Sequence, residues 1–476
     1  MYSIRQEELF SLQELMEMSP DDKYGLIFSE LDLAPALRVV NKQTHRGRPE
    51  ELNTAAMIYA LLISKIERIP TTKDMLRRLK SSVEFRMTCR FRGSDALPSE
   101  ASFSRLYTKL ADSGVLWTLH EQMIRRAYAA GFISGDILCM DSSHIEADEN
   151  SPARKKAKTA APDTPHPALI TEAAVSVPAP SPVADPRKQY KRGRPKAEDM
   201  ERRRQERAAW EASLPLFERK IEEMLPLPFE DLQPHIPKDP SSSSKTGSDG
   251  KQKWWYGYKL HALADSKSQY LVSALFSSAH VSDGRIAIPL LKKFTGDLPN
   301  WSVRHVLADA GYDFMAVYKQ VREMNAWPLI DFNERSDKPP EGYNEQFSPI
   351  CEKGHAFVYD SFDAQYKRLK FTRPKECATC PLPSKDQCQK IKKIKVGQDL
   401  RRFTVPARAS QSYEETYDQR TAVERIFAYL KEYYGLGRSE HRGKRAEVDA
   451  ALSVLSYTLC RFAVDRKNSQ SQKQAS

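Results

Sequence analysis

Two aspartates that follow apolar segments are the residues of this sequence best suited to chemistry. Residues 137–140 lead into Asp141, and residues 303–308 lead into Asp309. Both apolar runs predict buried strands, and a carboxylate that leaves such a strand beside another acid is commonly compensated by a divalent cation. Either aspartate alone could instead be a cap or turn residue. A third acid brought to the same place would favour a metal site.

The third acid lies on a predicted helix that begins at Ser412 and ends at residue 434. One face of this helix, within an arc of about 60°, carries Tyr417, Arg420, Glu424 and Lys431. Glu424 could complete a metal site, Arg420 could bind a phosphate through two hydrogen bonds, and Lys431 would add positive charge. A solvated amphipathic face would also contain charges, but these residue types suit phosphodiester chemistry.

An α/β pattern surrounds the two aspartates and must position them. It consists of a strand before the proline-rich region and alternating strands and helices after residue 251. The predicted strands are residues 136–145, 258–264, 270–277, 303–309 and 326–332, and the predicted helices are residues 283–294 and 314–324. This order of elements resembles the RNase H-like fold.

The helix motif also carries a resemblance to a known family. Its spacing, Tyr417-x2-Arg420-x3-Glu424-x6-Lys431, matches the signature of the bacterial insertion-sequence transposases with a DDE triad, the YREK superfamily. Residues 141–147, 257–265, 307–313 and 435–438 are similar to that family's segments. Residues 47–49 and 98–105 resemble the N-terminal domain of the same transposases. The resemblance covers about three quarters of the chain.

This resemblance implies that Asp141, Asp309 and Glu424 form a catalytic triad. Three such carboxylates would hold two Mg²⁺ ions that activate a water or 3′-hydroxyl and stabilise the leaving oxygen. The implied reaction is cleavage of the element's terminal inverted repeats and strand transfer into target DNA, by a homodimer in the synaptic complex. Tyr417, Arg420 and Lys431 would contact DNA.

Two other functions remain open at this stage: a catalytically idle DNA-binding protein derived from a transposase, and a metal-dependent nuclease without strand transfer. Four further acids lie near the motifs but are not expected to be metal ligands: Glu146, Asp148, Glu149 and Asp313.

The composition agrees with a soluble DNA-binding protein. The chain has 476 residues, 40% of them hydrophobic and 29% charged, with a formal net charge of +11 that favours a polyanionic partner. The longest apolar run, residues 55–63, is too short to span a membrane. The N-terminus has no secretory-signal pattern, so we expect a bacterial protein in the cytoplasm, near the nucleoid.

The chain divides into segments of different composition. Short helices with basic faces fill the N-terminal part, where a helix-turn-helix that contacts DNA and a plain helical bundle are equally compatible with the pattern. The predicted segments are 1–131, an N-terminal helical domain; 132–150, the first catalytic strand; 151–250, a proline-rich linker with a charged helix at 197–225 and a soft stretch at 240–250; 251–334, the rest of the α/β core; 335–408, a cysteine-bearing insertion; 409–465, the C-terminal catalytic helices; and 466–476, a disordered tail.

Four cysteines in the predicted insertion have the spacing of a possible metal site. Cys351, Cys377, Cys380 and Cys388 form the pattern C-x25-C-x2-C-x7-C, in which the close pair could share one zinc ion. The last spacing differs from a standard zinc finger, and His355 could replace one cysteine. The sequence therefore predicts a structural zinc site, with free thiols as the alternative.

A basic motif in the linker could contact DNA. Residues 191–196 read Lys-Arg-Gly-Arg-Pro-Lys, which looks like an AT-hook with Arg192 and Arg194 in a narrow A·T-rich minor groove. A generic basic segment is the alternative. We expect this motif to add affinity for DNA rather than chemistry.

Overall fold

The N-terminal region is a bundle of short helices. The computed structural model describes residues 20–41, 52–149, 151, 197–246, 250–334, 338–379 and 388–475, so Arg192, Arg194 and Cys380 lie outside the described residues. The N-terminal helices are α1 (Pro20–Ile27), α2 (Ala34–Val40), α3 (Thr54–Ile66), α4 (Thr72–Ser81), α5 (Val83–Thr88), α6 (Glu100–Ser113) and α7 (Val115–Ala129).

Local capping fixes where several of these helices begin. The side chains of Asn53, Thr71 and Ser99 each accept a hydrogen bond from the backbone N–H three residues later, at the first turns of α3, α4 and α6. Such caps satisfy N–H groups that have no partner within the helix. Gly114 adopts a left-handed conformation, φ 62°, and thereby ends α6 immediately before α7.

A mixed sheet forms the centre of the α/β region. Its strands are β1 (Ile137–Glu146), β2 (Ser241–Thr246), β3 (Gln252–Asp265), β4 (Leu271–Ser278), β5 (His305–Ala308) and β6 (Trp327–Ile330). β1 pairs antiparallel with β3 on one side and parallel with β5 on the other, and β6 continues parallel to β5. β4 pairs antiparallel with β3. Across the sheet the strands therefore run β4, β3, β1, β5, β6.

Helices cover this sheet and join it to the N-terminal bundle. In chain order they are α8 (Ala197–Ser213), α9 (Phe229–Leu232), α10 (Asp283–Asp297), α11 (Met315–Glu323), α12 (Gln411–Tyr417), α13 (Thr421–Tyr434) and α14 (Arg445–Ala475). α14 packs against α3, α6 and α7 of the bundle and against α13 and β4. Most of residues 446–464 are buried as a result, and the bundle and the sheet share one hydrophobic core.

Three segments differ from the sequence-based expectation. Residues 240–250 were expected to be a soft stretch, but Ser241–Thr246 form β2, which pairs with Gln252–Gly257 of the long strand β3. The charged helix predicted over 197–225 ends at Ser213, because Pro215 cannot continue it, and short 3-10 turns follow. The tail expected to be disordered from residue 466 continues α14 to Ala475.

The segment after β6 folds around a second, smaller core. Its strands β7 (Val358–Asp363), β8 (Arg368–Thr372) and β9 (Ile391–Lys395) form an antiparallel sheet with β8 in the centre. Phe347, Phe357 and Phe371 are among the buried residues of this core. The ring of Trp327 in β6 contacts the ring of Phe362 at 5.0 Å, so the small sheet rests against the edge of the large one. None of the helices in the described ranges is long and apolar enough to cross a lipid bilayer.

Candidate functional site

One cavity brings together the three acids singled out in the sequence. It has a volume of about 440 Å³ and is lined by Asp141, Asp309, Glu424 and Lys431, among other residues. We call it the acid cavity. The three carboxylates come from β1, from the end of β5 and from α13, so the sheet order and the packing of α13 assemble them from distant parts of the chain.

Asp141 lies within β1 rather than at its end. The strand continues to Glu146, and Asp141 is paired with Ala262 of β3. On the other side, however, pairing with β5 stops at Cys139 and Leu307, so Asp141 lies just beyond the parallel ladder. Burial, reinforced by the charge of Asp309, raises the pKa of Asp141 to about 7, although the Ser142 N–H acts to lower it.

Asp309 follows β5 directly, as the sequence indicated. Its Oδ1 accepts a hydrogen bond from the Gly311 N–H at 2.8 Å, which starts a short 3-10 turn over Ala310–Tyr312. Burial and the charge of Asp283 raise the pKa of Asp309, while the Gly311 N–H and Arg420 act to lower it. Two desolvated carboxylates therefore face one cavity, where a proton or a cation would stabilise them.

Glu424 lies in the first turn of α13 and is the most exposed of the three acids. Its side chain is 49% exposed and forms an ion pair with Arg420, with 2.8 Å between Oε1 and Nη1. The single helix predicted from Ser412 to residue 434 is interrupted, because Asp418–Arg420 form a 3-10 turn between α12 and α13. The Thr421 hydroxyl donates to the Asp418 carbonyl at this turn, and Ser410 caps α12 in place of Ser412.

The other residues of the helix motif have distinct positions. The Tyr417 hydroxyl donates to the carbonyl of Ala308 at 3.2 Å, which ties α12 to the end of β5 next to Asp309. Lys431 reaches the acid cavity, where its Nζ lies 3.3 Å from Nδ1 of His144. Burial and the neighbouring Lys245 lower the pKa of Lys431. Tyr417 therefore fixes the position of α12 relative to β5, whereas Lys431 lines the acid cavity.

A fourth carboxylate in the acid cavity was not anticipated from the sequence. Asp283, the first residue of α10, accepts hydrogen bonds from the Ser142 hydroxyl at 2.9 Å and from Lys259 at 3.0 Å. Burial acts to raise the pKa of Asp283, but His261 and Lys259 outweigh it and lower that pKa. Asp283 therefore stays ionised and holds Ser142, the residue after Asp141, in place. The only sequence feature that could have indicated Asp283 was its position at the start of a predicted helix.

One basic and one aromatic residue of the cavity were also not anticipated, because they come from the pairing of β2 with β3. Lys245 of β2 and Trp255 of β3 line the cavity, and the ring of Trp255 lies 5.3 Å from that of His144. Lys245 acts to lower the pKa of both Asp141 and Asp309. Only five residues separate β2 from β3 along the chain, but the serine-rich composition of β2 does not predict a strand, so the sequence did not mark this pairing.

The four acids that were not expected to be ligands have other partners or lie elsewhere. None of them lines the acid cavity. Asp148 forms ion pairs with Arg438 and Arg442, and Glu149 accepts from the Gly443 N–H. Asp313 is fully buried against Arg401. Glu146 ends β1.

The donor set of the acid cavity suits a divalent cation, but its side chains are not gathered around one point. Carboxylates are the ligands that Mg²⁺ prefers, and two of the three are desolvated. Within the described ranges, no group of three or more His, Cys, Asp or Glu side chains has the arrangement needed to hold a metal ion. Glu424 is paired with Arg420, and because the Glu424 side chain is about half exposed, its rotation costs little.

The predicted zinc ligands are only partly described. Cys377 Sγ lies 3.7 Å from Nδ1 of His355, and the Cys351 N–H donates to the His355 carbonyl at 3.0 Å. Cys351 and Cys388 pack against the second core. Cys380 lies outside the described residues, and the remaining members do not form a metal-holding group. The zinc site therefore stays a prediction, as does the role of Arg192 and Arg194.

Comparisons with known proteins define the family. The family model "Transposase DDE domain" matches residues 232–459, and the model "Transposase domain (DUF772)" matches residues 13–109. Together the two matches cover about two thirds of the chain and include most of the N-terminal bundle and two of the three acids, Asp309 and Glu424. The chain therefore belongs to the insertion-sequence DDE transposases.

Wider comparisons add little to this assignment. No curated protein matches the chain in sequence. Among solved structures, a cryo-EM structure of a piggyBac transposase synaptic complex with hairpin DNA is similar over 98% of this chain and 78% of that chain, with 10% identity and a TM-score of 0.38. A likeness this distant supports no conclusion about mechanism.

Proposed function

We propose that this transposase cleaves the ends of its own element and joins them to target DNA, using Mg²⁺ bound by Asp141, Asp309 and Glu424. The observation that carries the proposal is the convergence of these three acids, from three separate elements, on one cavity. The strand order β4, β3, β1, β5, β6, in which β3 alone runs antiparallel to the other four strands, supports an RNase H-like catalytic domain.

The chain's own residues would perform distinct tasks in this reaction. Asp141 and Asp309 would provide two partly buried carboxylates for the cation, and desolvation raises the pKa of both. Glu424 would be the third carboxylate to hold the cation, and Arg420, its present ion-pair partner, would bind a phosphate oxygen. Bound Mg²⁺ would supply activation of the attacking oxygen and stabilisation of the leaving oxygen. Lys431 and Lys245 supply positive charge for the DNA backbone at the same cavity.

The DNA partners follow from this reaction. The terminal inverted repeats and the target DNA would enter the acid cavity in turn, and a homodimer would hold the two ends in the synaptic complex. Arg192 and Arg194 would add contacts to A·T-rich flanks, and a zinc ion at the cysteines of the insertion would be structural.

The proposal is tested by incubating purified protein with duplexes that carry the element's ends and Mg²⁺, followed by mapping of nicks and joined products. Asp141→Asn, Asp309→Asn and Glu424→Gln should each lower cleavage by roughly a hundredfold or more while binding of the ends is retained. Glu146→Gln is the matched control, because Glu146 belongs to β1 but does not line the acid cavity.

Each alternative function gives a different result. A catalytically idle DNA-binding protein would bind the ends but leave them intact even when wild type. A nuclease without strand transfer would produce nicks but no joined product. Near-normal cleavage by Glu424→Gln would contradict the assignment of the triad.

A further inference from the structure

The small sheet of residues 358–395 carries a dense group of cations on one face. Leu369 and Phe371 of the central strand β8 are each 1% exposed and face the second core. Side chains alternate along a strand, so Arg368 and Lys370 face the opposite way. On the edge strand β9, Ile394 is buried while Lys393 and Lys395 are exposed. We call Arg368, Lys370, Lys393 and Lys395 the cationic face.

The strand register places these cations directly opposite one another. Arg368 is paired with Lys395, and Lys370 is paired with Lys393. Like charges at directly opposite positions destabilise a sheet, so this arrangement is unfavourable for folding alone. An anionic partner would remove the repulsion.

The acids of the described structure lie on the β7 side of the cationic face, where Asp363 is directly opposite Arg368, and leave the β9 side without an anion. Lys370 forms an ion pair with Asp360 at 2.9 Å, but both side chains are more than a third exposed, so the pair is weak. Within the described ranges, no carboxylate forms an ion pair with Lys393 or Lys395. In sequence, residues 338–408 contain 15 lysines and arginines against eight aspartates and glutamates, so the cations exceed what the segment can pair.

Structural explanations account for each strand taken alone but not for the pairing of cation with cation between β8 and β9. Lysines on an edge strand prevent the pairing of one sheet with another, which would explain Lys393 and Lys395 on β9. Arg368 and Lys370 lie on the central strand, where no free edge needs protection. An exposed aromatic ring, that of Tyr366, lies beside Arg368 at 5.7 Å and is 59% exposed.

We propose that the cationic face binds the phosphate backbone of duplex DNA at a surface separate from the acid cavity. Side chains on the same face of a strand are about 6.8 Å apart, and two successive nucleotides of one B-DNA strand advance by about the same distance along the helix axis. No residue of the segment 338–408 lines the acid cavity. Binding at this face therefore adds affinity without sequence preference and places a second length of DNA against the insertion.

The test compares two double variants in binding to a random-sequence duplex. Lys393→Gln with Lys395→Gln removes two cations of the face, and Lys338→Gln with Lys353→Gln removes two exposed cations elsewhere in the same segment. The first should weaken binding about tenfold at low salt and make the slope of log affinity against log salt shallower by about 1.8, at about 0.9 for each lost phosphate contact. The control should change neither quantity appreciably.

Two further measurements keep the result interpretable. The thermal midpoint of Lys393→Gln with Lys395→Gln should equal or exceed that of wild type, because the substitutions remove cross-strand repulsion. Lys393→Arg with Lys395→Arg should restore the wild-type salt slope. The proposal would be overturned if Lys393→Gln with Lys395→Gln had the same DNA affinity and salt slope as the control variant. It would also be overturned if that variant lost binding to polyglutamate but not to DNA. Binding is measured without divalent metal, so the result does not depend on catalysis at the acid cavity.

Discussion

Replacing Asp313 with Asn should strongly destabilise the junction between the large sheet and the segment of residues 338–408. The Asp313 side chain is 0% exposed, and Arg401 donates to both of its oxygens, at 3.0 and 2.7 Å. The Tyr318 hydroxyl and the Asn333 N–H also donate to this carboxylate, each at 3.0 Å. Because every partner is a donor, the amide of Asn would face at least one N–H without an acceptor.

The expected cost follows from the burial of this pair. Removing one partner of a buried ion pair costs about 3–5 kcal/mol, whereas an exposed pair contributes about 0.2–1 kcal/mol. Asp313→Asn should therefore lower the free energy of the first unfolding transition in urea by about 3–5 kcal/mol. Asp360→Asn, which breaks the partly exposed pair with Lys370, should cost less than about 1 kcal/mol.

A double-mutant cycle assigns the loss to the pair itself. Arg401→Met alone should also be costly, because it leaves the Asp313 carboxylate buried without its cation. The double variant should be more stable than the sum of the two single effects by about 1–3 kcal/mol. A cost below about 1 kcal/mol for Asp313→Asn, or strict additivity in the cycle, would refute this reasoning.

Three further predictions concern pH, sterics and metal. Burial acts to raise the pKa of Asp449, but Lys65 and His441 outweigh it and lower that pKa. The Asp449 carboxylate therefore stabilises the fold above about pH 4, its pKa in the unfolded chain, and this stabilisation is lost as the pH falls further. Asp449→Asn should accordingly make the thermal midpoint depend less steeply on pH in the acid range. Gly311→Ala would place a Cβ 2.9 Å from Asp309 Oδ1, so cleavage should fall at least about tenfold with the thermal midpoint little changed. Elemental analysis should find one zinc per chain, and Cys377→Ser should remove it; a zinc-free wild type would exclude the site.

Local patterns allowed much of the fold to be predicted. The caps at Asn53, Thr71 and Ser99 act within three residues, so the sequence alone determines where α3, α4 and α6 begin. The apolar run before Asp309 likewise predicted β5 and the position of that aspartate at its end. These elements depend on neighbours along the chain.

The features that were missed depend on pairing and packing that the residue composition does not reveal. Ser241–Thr246 has the composition of a loop and becomes a strand only because β3 is long enough to pair with it. Lys245 and Asp283 enter the acid cavity through that pairing and through the packing of α10. The 3-10 turn at Asp418–Arg420 interrupts a pattern that reads as one continuous helix. In the insertion, β7 and β8 are neighbours along the chain, and β9 joins them only from residue 391, so the three-stranded sheet was not predicted.

Iron-directed cleavage of the protein backbone tests most directly whether the three acids share a metal site. Fe²⁺ would replace Mg²⁺, and ascorbate with peroxide would generate radicals that cut the chain close to the bound ion. The proposal predicts cuts near Asp141, Asp309 and Glu424 in the same sample, suppressed by excess Mg²⁺ and lost in Asp309→Asn. Cuts that avoid one of these three segments, or that persist unchanged in Asp309→Asn, would contradict a metal site shared by the three carboxylates.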